Sequence, residues 1–255
     1  MRIDKSARID PTANIASDVH IGPFAIVGPR VSIDAHTHIG AYTIIEQNTV
    51  IGSHNRISPH VVLGADPQDK KYAGEESFLR IGHHNTIREF STVHRGTQGG
   101  TTTIGDHNLL MAYCHIAHDA EVGSNCTFAN GATIGGHVVV ASNATLGGLC
   151  AVHQFCRIGI HAMLAGGSML VQDLPPYLMA QGDRARLCGI NRVGLRRADF
   201  TRERIDDLHR AYKRLFLGSF SRAREEMRTA PCSREVDIML SFIDTSKRGV
   251  CKARR

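Results

Sequence analysis

The chain has no tryptophan, and aromatic residues fill only 5% of its 255 positions. Its interior must therefore be built from aliphatic side chains. No stretch approaches the roughly 18 consecutive apolar residues of a membrane-spanning helix. Met1-Arg2-Ile3-Asp4-Lys5 is followed by none of the apolar run that a secretory leader carries. These absences argue against membrane insertion and for a cytoplasmic location. Cysteine is sparse and odd in number, at seven, with neither paired CxxC motifs nor zinc-ribbon spacing. Cys114, Cys126, Cys150 and Cys156 all fall at one position of the repeat described below, where small residues recur. They read as buried thiols in a reducing compartment. The body of the chain also lacks positive charge: residues 1–182 carry 11 Lys and Arg against 14 Asp and Glu, whereas residues 183–255 carry 19 against 10. A basic tail on a mildly acidic body fits an anionic partner or substrate; charge alone would equally allow solubility or loose affinity for nucleic acid.

What the chain does have is a period of six. An apolar residue opens each hexad at Ile3, Ile9, Ile15, Ile21, Val27, Ile33, Ile39, Ile45, Ile51, Ile57 and Leu63, then at Ile81, Ile87 and Val93. The pattern resumes at Ile104 and runs through Leu110, Ile116, Val122, Phe128, Ile134, Val140, Leu146, Val152, Ile158, Leu164 and Leu170. Glycine often follows the apolar residue, as in Ile21-Gly22 and Ile39-Gly40, and the fifth position is usually small. Neither a helix nor an ordinary strand repeats every six residues. The hexad predicts a parallel β-helix in which three hexads close one 18-residue triangular coil, a prism known to wind left-handed against the usual crossover hand. Glycine at the second position is expected for its tolerance of positive φ. The prism is expected over 1–174, interrupted by loops at 66–78 and 97–103, with a helical domain over 175–255. In that tail Thr201 is placed to cap a helix carrying Ile205, Leu208, Tyr212, Leu215 and Phe216 on one face and ending at Gly218. A second segment is expected over about 221–229, and a third from Ser233 with Val236, Met239, Leu240 and Ile243 inward.

The period turns sequence distance into position. Three hexads back from Ile116 lies Val93, and three more reach Leu63, so both loops leave the prism along the column of the Ile116 hexad. Loops on a rigid scaffold are favoured places for function. The same count stacks His94, then His115, His118 and Asp119, then Gly136 and His137, then His153 and Gln154, with coils about 4.8 Å apart. Histidines elsewhere in the repeat, such as His36, His54, His60 and His161, occupy a turn position and read as solvated. His118 stands apart because Asp119 is adjacent. A neutral imidazole held by a carboxylate can take a proton from a hydroxyl or an amine near neutral pH, and Gly136 can offer a bare backbone N–H to an oxyanion. No Ser or Cys on the column is an obvious nucleophile, which favours direct transfer. The rival chemistry is a metal held by three imidazoles, as in the γ-class carbonic anhydrases that share this prism. The uneven register of His118, His137 and His153 weighs against it.

Several motifs carry a closer resemblance. They are Ile21-Gly22-Pro23-Phe24 with Val27-Gly28-Pro29, Gln68-Asp69-Lys70-Lys71-Tyr72-Ala73-Gly74, Val93-His94-Arg95-Gly96-Thr97, Asn108-Leu109-Leu110-Met111 and His115-Ile116-Ala117-His118-Asp119. Further on come Ala151-Val152-His153-Gln154-Phe155, Asp173-Leu174-Pro175-Pro176-Tyr177, Ala180-Gln181-Gly182 and Gly194-Leu195-Arg196-Arg197. In order and over nearly the whole chain, these resemble the UDP-N-acetylglucosamine O-acyltransferases that begin lipid A synthesis in Gram-negative bacteria. The resemblance implies a homotrimer with active sites between neighbouring prisms, no cofactor, and 3-hydroxyacyl groups delivered by acyl carrier protein. It implies His118 as general base on the glucosamine 3-hydroxyl, Asp119 as its support, and the Gly136 amide at the oxyanion. Asp69, Lys71, His94, His115, His137, His153 and Gln154 match substrate contacts, Asn191 and Arg197 match residues near phosphopantetheine and nucleotide phosphates, and Gly166 with Met169 matches the acyl-chain pocket. It implies neither nucleic-acid binding nor membrane insertion. The chain departs from the family pattern at Val193, where an acidic residue is usual, and at Ala198, which cuts short a basic run. Related N-acyltransferases carry an additional N-terminal uridine-binding domain, which hexads starting at Ile3 give no reason to expect.

Overall fold

The computed structural model describes residues 2–229 and 231–253. From Arg2 to Leu170 the chain winds as the expected left-handed parallel β-helix. Short strands alternate among three parallel sheets, each strand hydrogen-bonded to the one a coil away. The register is the 18-residue one wherever no loop intervenes: Ile3 pairs with Ile21, Ile116 with Ile134, and Ile134 with Val152. The hexad-opening residues line the axis. From Ile21 onward all are buried, while Ile3, Ile9 and Ile15 in the first coil are partly so. Each contributes about 1.5–3 kcal/mol by leaving water. Cys114, Cys126, Cys150 and Cys156 are buried beside them, and burial pushes their thiols up to about 11 or 12, so they stay protonated packing groups.

The glycine expectation is corrected. Glycine at the second hexad position is required by close approach: a Cβ on Gly40 would lie 2.5 Å from the Pro59 nitrogen of the next coil. Positive φ falls two residues later, and mostly on other residue types, including Phe24, Tyr42, His60, Phe90 and Tyr113. A left-handed conformation costs such residues roughly 1–2 kcal/mol each. Here they recover contact by stacking on the ring one coil away, with centroids 5.0–5.1 Å apart along that series. His36, His54, His84 and His107 form a second such ladder. The turn histidines are thus stacked as well as solvated, and His161 is half-buried against Tyr177 and Phe200.

Both interruptions leave from one column, but they are shorter than the sequence indicates. Phe78–Ile81 and Thr101–Ile104 are four-residue strands paired with each other. Their β-branched and aromatic residues extend the sheet sideways beyond the usual two-residue strand. Tail residues 175–255 are not wholly helical either. Leu178–Gln181 adds to one prism face in parallel with Met163–Leu164, and Arg186–Ile190 returns antiparallel to it. This hairpin closes the end of the core with Leu178, Ala180 and Leu187 buried. It carries no hexad and no turn signal that marks it in the sequence.

The helices follow: α1 (Arg192–Arg197), α2 (Arg202–Tyr212), a π-type turn (Lys213–Leu217), α3 (Phe220–Thr229) and α4 (Arg234–Asp244). Thr201 caps α2, and Ile205, Leu208, Tyr212, Leu215, Val236, Met239, Leu240 and Ile243 face inward as expected. Ser233 stands at the start of α4 but donates its hydroxyl to Asp207 instead of capping the helix. The last described segment straps back onto the prism. Asp173 exchanges backbone hydrogen bonds with Gly249 and Cys251, and its buried carboxylate accepts from the Arg157 amide and the Ser246 hydroxyl. No helix among the described residues is long and apolar enough to cross a membrane.

Candidate active site

The strand His115–Ile116 points Ile116 into the axis and His115 outward, and the turn that follows carries His118 and Asp119. Asp119 occupies the left-handed turn position, with φ 56°. This conformation folds its carboxylate back beside its neighbour, so that His118 Nδ1–H donates to Asp119 Oδ2 at 2.8 Å. The His118 side chain is only 10% exposed, and its Nε2 has no protein hydrogen-bond partner among the described residues. One coil on, Gly136 lies against the ring: a Cβ there would be 2.6 Å from Cε1 and 2.7 Å from Nε2 of His118. Gly136 is a buried residue, and its amide, like those of Ala112 and His118 at the same hexad position, donates to no protein acceptor among the described residues. What sets it apart is its place beside the poised imidazole, where an open donor can meet a ligand oxygen.

Thr97, which sequence reasoning gave no role, orients the carboxylate. Its amide donates to Asp119 Oδ1 at 3.0 Å and its hydroxyl to Oδ2 at 2.8 Å. Burial pushes the Asp119 carboxyl up, but the hydrogen bonds from His118 and from the Thr97 amide and hydroxyl outweigh it and hold it below its ordinary value. The carboxylate thus stays charged and keeps the His118 proton on Nδ1. Gly100 leaves room for this arrangement, since a Cβ there would lie 2.5 Å from Asp119 Oδ1. The one available signal for Thr97 was its place at the root of a loop leaving from the Asp119 column.

His137 Nε2 is 3.8 Å from Asp119 Oδ2, its ring edge-on to His118 and stacked on Phe155. His115 is hydrogen-bonded to Thr92 Oγ1 at 2.8 Å and edge-on to His94. His94 is buried with Nδ1 unpartnered; burial and the neighbouring His115 and His118 push its pKa down to about 4, so it is neutral near pH 7. Burial and His118 lower His115 in the same sense. One donor atom each from His118, Asp119 and His137 lies within 4.8 Å of the others, a spacing a divalent cation can draw together. Two imidazoles and a carboxylate differ from the three-imidazole set, and the carboxylate is already committed to His118 and Thr97.

The column therefore brings together His94, His115, His118, Asp119, Gly136 and His137. His153 and Gln154 sit exposed two coils beyond His118. Asp69 and Lys71 stand on the first loop, where the Asp69 side chain accepts from the Lys71 amide at 2.9 Å. They make no hydrogen bond or ion pair with the His118 group. Asn191 caps α1 by accepting from the Gly194 amide and donates to the His161 carbonyl, and Arg197 is exposed in the last turn of that helix. Gly166 and Met169 are exposed near the end of the prism. Within one chain these outer residues do not meet the His118 pair.

The sequence of residues 173–251 matches the model of UDP-N-acetylglucosamine O-acyltransferase domain 2, and 101–136 matches the six-repeat bacterial transferase hexapeptide. An acyl-[acyl-carrier-protein]–UDP-N-acetylglucosamine O-acyltransferase of Halorhodospira halophila is 48% identical over 98% of this chain and 99% of its own length. The chain belongs to the UDP-N-acetylglucosamine O-acyltransferase family. A second family member, from Paraburkholderia phymatum, is 47% identical over 98% of this chain and 99% of its own. The solved UDP-N-acetylglucosamine acyltransferase of Francisella novicida superposes with a TM-score of 0.94 at 36% identity, covering 99% of this chain and 95% of that one. That of Bacteroides fragilis gives 0.95 at 38%, covering 98% and 100%. Prism and tail alike are thus features of the family.

Proposed function

We propose that this acyltransferase moves a 3-hydroxyacyl group from acyl carrier protein to the glucosamine 3-hydroxyl of UDP-N-acetylglucosamine, the step that opens lipid A biosynthesis. The observation that carries this reading is the His118–Asp119 pair, whose Nε2 lies beside the Gly136 amide, neither having a protein hydrogen-bond partner among the described residues. The sugar hydroxyl gives its proton to His118 Nε2 as its oxygen attacks the thioester carbonyl carbon. The carbonyl electrons move onto oxygen, where the Gly136 N–H meets the negative charge. Collapse of this intermediate breaks the C–S bond, and the imidazolium returns the proton to the departing thiolate. Asp119 holds the tautomer and stabilises the transient imidazolium. The thioester supplies the driving force, so no cofactor is assigned.

The reading includes assembly as a homotrimer, which would account for where the remaining residues lie. Asp69, Lys71, Asn191 and Arg197 belong to this reading only if a neighbouring prism presents its loop or its α1 to the His118 column. The acidic carrier protein is met by the basic tail, where Arg184, Arg186, Arg248 and Lys252 border a cavity of about 640 Å³ that His153 also lines. A cytoplasmic location accords with these soluble substrates. The test is incubation with a panel of 3-hydroxyacyl carrier proteins and UDP-N-acetylglucosamine, with the product resolved by NMR. An ester at the sugar 3-hydroxyl is expected; an absence of transfer overturns the proposal.

A further inference from the structure

Arg95 is buried to 2% exposure at the root of the second loop, and its side chain makes no hydrogen bond to His118, Asp119 or Thr97. Its Nη1 donates to the Gly64 carbonyl at 2.6 Å. Its Nη2 donates to the Asp66 carboxylate and to the Tyr72 hydroxyl, the latter at 2.9 Å. The guanidinium carbon also lies 5.9 Å from the centroid of the Tyr72 ring, and the Arg95 amide donates to the Ala65 carbonyl. One cation thus holds the last turn of a prism strand, the first residue of the 66–77 loop and a residue six further on. Between those two loop anchors are Asp69 and Lys71, in a turn closed by the Lys71 amide on Asp69 Oδ1 and the Tyr72 amide on the Asp69 carbonyl.

Burying a guanidinium is expensive unless it is paired and hydrogen-bonded. Of the side-chain partners that offset the cost here, the Gly64 carbonyl belongs to a prism strand, while Asp66 and Tyr72 lie on the loop outside the core. The planar fork reaches acceptors in different directions, which a lysine cannot do. We propose that Arg95 is a positioning residue for the acceptor substrate. It acts through Asp66 and Tyr72 to fix the loop that presents Asp69 and Lys71, and does not itself touch the substrate. The proposal rests on the sugar-nucleotide reading above. It also gives two neighbours at one loop root different roles. Arg95 sets the substrate loop, while Thr97, two residues on, sets the Asp119 carboxylate.

The loop-side double variant Asp66→Asn/Tyr72→Phe tests this without emptying the buried site, with Arg95→Lys as the root-side counterpart. Amide hydrogen exchange over residues 67–75 is expected to quicken by about 10-fold or more, as loss of charge-assisted hydrogen bonds implies. KM for UDP-N-acetylglucosamine is expected to rise by about the same factor, while the midpoint of the kcat–pH profile stays in place. Wild-type exchange in the loop overturns the proposal, as does an unchanged KM, or a displaced pH midpoint without a KM effect. Thermal destabilisation alone, with wild-type kinetic constants, also overturns it. If the wild-type protein turns over no UDP-N-acetylglucosamine, the reaction reading fails, and exchange on the same samples still decides whether Arg95 fixes the loop.

Discussion

Replacing Gly136 with alanine would place one methyl group where the structure has no room for it. The new Cβ would lie 2.6 Å from Cε1, 2.7 Å from Nε2 and 3.2 Å from Nδ1 of His118, whereas carbon contacts settle near 3.5–4.0 Å. The ring must retreat by about 1 Å, which is enough to break the 2.8 Å Nδ1–Asp119 hydrogen bond and to swing Nε2 away from the acceptor. A displacement of about 1 Å at a reacting group costs on the order of 10²-fold in rate. The backbone does not share the problem, because Gly136 is not among the positive-φ residues and alanine can adopt its conformation. Overpacking of about 1 kcal/mol, the low end for a core that can yield toward a cleft, is the expected stability cost. Steady-state acyl transfer should show kcat/KM down by about 100-fold, with thermal unfolding shifted by only a few degrees. Activity within about 3-fold of wild type would refute the packing of His118 on Gly136, since no smaller loss is consistent with a ring pushed that far.

Three further outcomes follow from the same geometry. Thr97→Val removes the 2.8 Å hydroxyl bond to Asp119 but keeps the amide bond; kcat/KM in steady-state acyl transfer should fall about 10-fold. An unchanged kcat/KM would contradict that role. His94 links stability to acid: the unfolded imidazole binds a proton near 6.5 but the folded one only near 4, so the contribution is intact above 6.5 and is lost as pH falls between those values. Chemical denaturation at pH 7 and pH 5 should lose up to about 2 kcal/mol from this group, and His94→Asn should shrink that difference; an equal acid loss in the variant counts against it. Gly166→Met fills space that in the native chain holds only the Gly148 backbone within 4 Å. Carrier-protein panels should then shift toward shorter acyl chains, and an unchanged preference would remove Gly166 from the acyl pocket.

The prism was legible because each hexad residue reports on one buried position, and the same arithmetic places His94, His118, Gly136 and His137 on one column from the sequence alone. What stayed hidden has physical reasons. Glycine after the apolar residue marks contact between coils, a distance that no local pattern expresses, whereas the left-handed turns are tolerated by Phe, Tyr and His because they stack 18 or more residues apart. Thr97 and Asp119 meet across 22 residues, and Arg95 and Asp66 across 29, through loops that carry no period to count on. The Leu178–Ile190 hairpin escapes a reading of the sequence because its pairing serves to close the end of the core. Asn191 shows the converse: its motif is visible, but its two amide ends are taken up by α1 and by the His161 carbonyl.

The most direct test of His118 as the base is acyl transfer by wild type and His118→Ala, each with and without a chelator. Base catalysis by His118 predicts that chelator leaves the wild-type rate unchanged and that the variant loses about 10²-fold or more in kcat. A wild-type rate abolished by chelator, or a variant within a few-fold of wild type, would contradict it and transfer the chemistry to a cation drawn by His118, Asp119 and His137.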